Sequence, residues 1–155
     1  MTARPNPETG IYTDTPPFTG GCLCGAVHFA TAAQLREVIF CHGRLCRLCR
    51  RQTGLYDAAT AVPWRALAIS GAQSLRWFAS SDDAQRGFCG TCGSALFWRP
   101  WSRDHVAIMA GAFDDGAPLT PSCHIFTQEK GGCYDITDGL PQVLREAPGV
   151  AVDQG

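Results

Sequence analysis

Cys22-Leu23-Cys24-Gly25 and, far along the chain, Cys89-Gly90-Thr91-Cys92-Gly93 offer two pairs of closely spaced thiols, each followed at once by glycine. Four thiolates fill the tetrahedral shell of a zinc ion and leave no position for a substrate. Each pair alone is a half-site, so the fold must bring the two together. A glycine after each pair permits the tight turn that aims backbone N–H groups at sulfur. This spacing predicts a structural zinc held by Cys22, Cys24, Cys89 and Cys92. A third group, Cys41, Cys46 and Cys49, lies between the pairs. Three protein ligands leave one coordination position open, the arrangement of a reactive metal, and His42 could complete such a set.

The composition sets the frame that must position these groups. With 155 residues, 45% of them apolar, and a mean hydropathy of -0.06, the chain suits one globular domain with a real core. Nine cysteines in 155 residues, about 6%, fall short of a disulfide scaffold. The polar, Pro- and Thr-rich opening lacks a signal-peptide pattern. The expected compartment is the reducing cytoplasm, where clustered cysteines bind metal or do chemistry rather than pair. Thirteen basic and 14 acidic residues give a net charge of -1. That balance argues against a nucleic-acid partner, and no apolar run is long enough to span a membrane.

Short alternating segments dominate the chain beyond its first cysteine pair. Ala26 to Phe29, Ala58 to Val62, Leu67 to Ile69, Leu75 to Trp77, Ser94 to Trp98 and Val106 to Ala110 read as strands. One short helix is expected over Arg47 to Thr53, closed by Gly54. Residues 1–18 read as an extended or disordered arm, 19–141 as the zinc-binding domain and 142–155 as a loose tail. Many short strands with one or two helical turns predict an all-β fold of antiparallel strands, stabilised by zinc at strand ends.

The blocks Gly20-Gly21-Cys22-Leu23-Cys24-Gly25-Ala26-Val27, Cys49-Arg50-Arg51-Gln52-Thr53-Gly54 and Arg86-Gly87-Phe88-Cys89-Gly90-Thr91-Cys92-Gly93-Ser94 resemble the glutathione-dependent formaldehyde-activating enzymes and their relatives, including centromere protein V. His124-Ile125, Lys130 and Leu140-Pro141 add weaker likeness, and the resemblance spans about residues 19 to 141. It implies a zinc-stabilised β-tent fold, with Cys22, Cys24, Cys89 and Cys92 on the structural zinc. The family's second zinc site is a Cys-His-Cys-x-x-Cys run, from which this chain departs. Gly43 stands where the middle cysteine falls if Cys46 is last. If Cys49 is last, Cys46 is the middle cysteine and Arg44 replaces the first. The second register is favoured, because the following Arg-x-x-Thr-Gly then falls correctly. Either Cys41, Cys46 and Cys49 hold a second zinc across a bulged loop, or Cys46 and Cys49 remain as a remnant.

An open zinc position can hold a thiol as its thiolate or polarise a carbonyl. The expected function is therefore that of a carbon–sulfur lyase or synthase acting on small thiol–aldehyde adducts of the glutathione and formaldehyde kind. Arg50 and Arg51, with Arg47, could take a thiol substrate's carboxylate by a bidentate fork. The alternative is a zinc-stabilised binding module whose degenerate second site has no catalytic activity. Cys123 and Cys133 read as lone thiols, and His124 either lines the pocket or packs within the core. Phe88, Phe97 and Trp98 read as core aromatics, and Asp114-Asp115-Gly116 reads as a turn.

Overall fold

The computed structural model describes residues 17–43 and 47–145, with backbone alone for 4–5, 12–13 and 47–49. Two-residue strands β1 (Arg4–Pro5) and β2 (Tyr12–Thr13) pair with each other. The rest of the expected arm up to residue 16, and the tail from 146, lie outside the described residues.

A three-stranded antiparallel sheet is ordered β3 (Phe18–Gly21), β4 (His28–Thr31), β7 (Leu67–Ser70). The larger sheet takes β5 (Val38–Cys41), β6 (Asp57–Pro63), β8 (Leu75–Ala79), β9 (Ala84–Cys89), β10 (Ala95–Pro100), β11 (His105–Met109) and β12 (Pro121–Ile125), in the order β12-β5-β6-β11-β10-β9-β8. Its pairings are antiparallel except β12 with β5, which run parallel. The fold is all-β, and among the described residues it carries one short helix, α1 (Arg47–Thr53), and single 3-10 turns. The helix ends as expected, where the Gly54 N–H donates to the Arg50 carbonyl.

Alternation decides which face of the large sheet each residue serves. Val62, Val106, Ile108 and Phe97 join Val27 and Phe29 in the main core, where Phe29 meets Phe97 edge-on at 5.6 Å, and Leu96 joins them because an irregularity between Ala95 and Phe97 breaks the alternation there. Residues of opposite parity, Ala59, Ala107 and Met109, form a second cluster on the other face. Arg86, on β9, reaches Asp57, on β6, with a 3.1 Å ion pair. Two strands, β11 and β10, lie between these in the sheet order. The sheet therefore curls so that this second face is concave, and its small alanines leave room for the arginine.

The strand expected from Ala26 starts instead at His28. Residues 22–27 form the turn of the first cysteine pair, closed by the Cys22 N–H on the Val27 carbonyl at 3.0 Å. Strands β3, β5, β9 and β12 add to those read from alternation. β5 (Val-Ile-Phe-Cys) is largely apolar, because Cys123 and Ile125 cover its Ile39 face and Tyr56 and His124 cover its Phe40 face.

Candidate metal centre and adjoining cleft

The two cysteine turns meet at the end of the large sheet. Cys22, Cys24, Cys89 and Cys92 place all four sulfurs within 4.8 Å of one another. Cys22 and Cys24 sulfurs lie 3.6 Å apart, and those of Cys24 and Cys89 lie 3.8 Å apart. Sulfurs at the zinc–thiolate distance in a tetrahedron are separated by about 3.8 Å. The four residues thus fit a metal ion, and four thiols at these separations are consistent with zinc.

The turns that aim these sulfurs are built alike. Gly25 and Gly93 each take φ 78°, a left-handed conformation that glycine adopts without strain. In the first turn the Val27 N–H points at the Cys22 sulfur, 3.2 Å away. In the second, the N–H groups of Thr91 and Cys92 point at Cys89, at 3.4 and 3.5 Å. Ser94 ties the two turns together: its hydroxyl accepts from the Leu23 N–H at 3.0 Å and lies 3.2 Å from the Cys92 sulfur. The Ser94 hydroxyl and backbone hold the Cys92 thiol down to about 5. The neighbouring thiols compete in the opposite sense at Cys24. There the Ala26 N–H favours the thiolate, but burial and the other sulfurs together push the thiol up to about 11. Such opposed shifts are what close-packed thiols show until a cation neutralises them.

Among the described residues, this is the one group of three or more metal-ligating side chains brought together. Cys46 lies outside the described residues, and of Cys49 the structure gives only its backbone in α1. Cys41 ends β5 and is half-buried against the cluster of Ile39, Cys123 and Ile125. It stands opposite Asp57 in the ladder, and so shares the second face with the Asp57–Arg86 pair. Gly43 is closed in: a Cβ there would come within 2.8 Å of the Phe126 ring. Cys123 is buried in that same cluster and Cys133 is exposed, both apart from the four-thiol group.

His42 points the other way from Cys41, into the sheet face that carries Phe40 and Tyr56. It is fully buried, and both ring nitrogens are occupied. Nδ1 meets the Tyr134 hydroxyl at 2.5 Å, and Nε2 meets His124 Nδ1 at 2.8 Å. His124, 3% exposed, in turn meets the Asp138 carboxylate through Nε2 at 2.8 Å. Burial, with the nearby His124 and Lys130, pushes the His42 pKa down to about 4. His124 donates to Asp138, which together with the Leu140 N–H holds that carboxyl below its ordinary value. His42 is thus a buried, fully partnered histidine. Neither Tyr134 nor Asp138 stands in any recognisable spacing, since both reach the site from the long loop after β12.

Beside this chain is a cleft of about 370 Å³ lined by Arg50, Arg51, Gly54, Leu55, Gly131 to Cys133 and Tyr134. A larger depression of about 600 Å³ runs from Cys22 and Ser94 past Gln52 and Tyr56 to Met109 and Phe113. The Tyr56 and Tyr134 rings lie 5.5 Å apart and separate the two.

A curled β-sheet closed by four converging thiols, with an arginine-lined cleft beside α1, defines a β protein with a candidate metal site. The chain belongs to the glutathione-dependent formaldehyde-activating enzyme family, whose model matches residues 17–129. It is similar to an uncharacterized lyase of Schizosaccharomyces pombe, with 26% identity over 124 residues, covering 79% of this chain and 88% of that protein. The crystal structure of a Rhodobacter sphaeroides protein shares the fold, with a TM-score of 0.52 and 22% identity over 66% of this chain and 97% of that one. Among the described residues, no helix is long and apolar enough to cross a membrane.

Proposed function

We propose that this protein catalyses the reversible joining of a small thiol, glutathione, to formaldehyde, as a carbon–sulfur lyase or synthase. The observation that carries the reading is the placement of α1. The helix that holds Cys49 also presents Arg50 and Arg51 to a cleft large enough for a small molecule. Membership of the formaldehyde-activating family and likeness to a lyase-named relative support it.

In this reading Cys22, Cys24, Cys89 and Cys92 hold a structural zinc, and Cys41, Cys46 and Cys49 hold a second, reactive one. The closed pocket around Gly43 supports the register in which Cys46 and Cys49 end the motif, because a side chain at 43 would meet Phe126. A zinc ion with an open position supplies a centre that lowers the pKa of a thiol. The chain's own residues do the rest. Arg50 and Arg51 hold the substrate's carboxylate by charge-assisted hydrogen bonds, which fixes the sulfur's direction. The thiol sulfur bonds to the carbonyl carbon, the C=O electron pair moves to oxygen, and the proton lost from sulfur ends on that oxygen.

Exchange spectroscopy on glutathione and formaldehyde at equilibrium measures this directly. The native protein is expected to accelerate interconversion with the S-hydroxymethyl adduct, and Cys49→Ser is expected to abolish the acceleration. Equal exchange rates with and without native protein would rule out the enzyme and leave the zinc-stabilised binding module.

A further inference from the structure

The line Tyr134, His42, His124, Asp138 is a continuous set of hydrogen bonds of 2.5, 2.8 and 2.8 Å. It starts at a residue lining the Arg50–Arg51 cleft and ends on a carboxylate with 45% of its side chain exposed to water. Its two middle members are buried, and aromatic contacts hold their planes. Phe40 stacks on His124 at 4.8 Å, and Tyr56 lies against His42 at 4.7 Å. Lys130 pins the loop from the far side by donating to the carbonyls of Gly131 and Tyr134. Two imidazoles buried in series cost conformational and desolvation free energy that a packed apolar pair would not.

Hydrogen-bond direction along the line follows from its end. An ionised Asp138 only accepts, so His124 Nε2 carries the hydrogen. With both imidazoles neutral, His124 Nδ1 then accepts from His42 Nε2–H, and His42 Nδ1 accepts from the Tyr134 hydroxyl. Tyr134's one hydrogen is directed inward, and its lone pairs are what the hydroxyl offers to a ligand. The tautomers are assigned by this logic.

We propose that Tyr134 is a catalytic residue that takes the hydroxyl proton of the hydroxymethyl adduct, and that His42, His124 and Asp138 are the positioning residues that make it an acceptor. This rests on the proposed thiol–aldehyde reaction and names the group that handles its oxygen. In adduct breakdown the O–H proton passes to the Tyr134 oxygen as Tyr134's own hydrogen passes to His42 Nδ1. The hydrogen on His42 Nε2 moves to His124 Nδ1, leaving an imidazolium beside the Asp138 carboxylate. The oxygen's electrons form the C=O bond, the C–S bond breaks, and its pair leaves on sulfur. Synthesis reverses each transfer.

Two readouts test this. The ¹⁵N shifts of the imidazoles report tautomers without any substrate. Both histidines are expected as Nε2–H in the native protein. Asp138→Asn, whose amide can donate, is expected to turn both to Nδ1–H. In exchange spectroscopy, Tyr134→Phe lowers adduct turnover about 100-fold, within the usual range for one general acid–base group. It leaves binding of S-methylglutathione, which has no hydroxyl, within twofold, and that binding also certifies the folded cleft. Native exchange undiminished by Tyr134→Phe, or His42 unmoved by Asp138→Asn, overturns the relay alone. A native protein with no effect on exchange overturns the proposed reaction and Tyr134's role in it, whatever the tautomers show.

Discussion

The sulfurs of Cys24 and Cys89 lie 3.8 Å apart although 65 residues separate them in the chain. That distance matches one edge of a zinc–thiolate tetrahedron, and it joins the turn before β4 to the end of β9. Structural zinc contributes roughly 10–16 kcal/mol in small peptides, comparable to the whole stability of a domain. Cys89→Ser is therefore expected to lose its metal and its cooperative unfolding transition together. Thermal denaturation beside zinc analysis of the same sample checks this, and a folded, metal-free variant would contradict it.

Ser94 is the residue that couples the two turns, through the Leu23 N–H on one side and the Cys92 sulfur on the other. Ser94→Ala removes the largest influence lowering the Cys92 thiol. Groups that hydrogen-bond metal ligands typically change affinity by about 10- to 100-fold when removed. Zinc competition against a chromogenic chelator should show a loss in that range with the fold intact. Unchanged affinity would make the Ser94 contact incidental.

The convergence of Cys22, Cys24, Cys89 and Cys92 was legible in the sequence because short spacing and a following glycine encode each turn locally. So was the helix at Arg47–Thr53, with its closing Gly54. The Asp138–His124–His42–Tyr134 line was not, because its members come from the residue after β5, from β12 and from an irregular loop, and meet only through the parallel β12–β5 pairing, which the His42 N–H extends by donating to the Ile125 carbonyl. His42 read as a spare ligand next to Cys41. Strand alternation sends the two neighbours to opposite faces, a fact invisible until β5 was known to be a strand. Asp57 and Arg86 escaped for a related reason, since their contact depends on the curl of the whole sheet.

The Asp57–Arg86 pair is buried, with side chains 9% and 6% exposed, and Asp57 Oδ1 has no hydrogen-bond partner among the described residues. Removing one partner of such a pair costs about 3–5 kcal/mol, whereas replacing both by apolar groups is often neutral. Arg86→Met should lower the free energy of unfolding, measured by urea titration, by an amount in that range, and adding Asp57→Leu should recover most of it. Additive losses would show that the pair is not a unit.

Acid sensitivity follows from His42, whose pKa of about 4 lies below the ordinary 6.5 because of burial. Below pH 6.5 the unfolded chain binds the proton that the folded chain refuses. The stability associated with a neutral His42 is thus complete above that pH and lost as the pH falls toward 4. By pH 5 the loss amounts to about 2 kcal/mol. Urea unfolding of native protein and His42→Asn from pH 7.5 to 5 isolates it, because zinc release is common to both. Their stability difference should shift by that amount in favour of the variant, and parallel curves would contradict it.

A clamp of Cys22, Cys24, Cys89 and Cys92 separate from a reactive centre at Cys41, Cys46 and Cys49 requires two metal ions per chain. Native mass spectrometry counts them directly. Two zinc ions in the native protein, with one retained after Cys46→Ser or Cys49→Ser, is the expected result. A single zinc in the native protein, unchanged by either substitution, would contradict it.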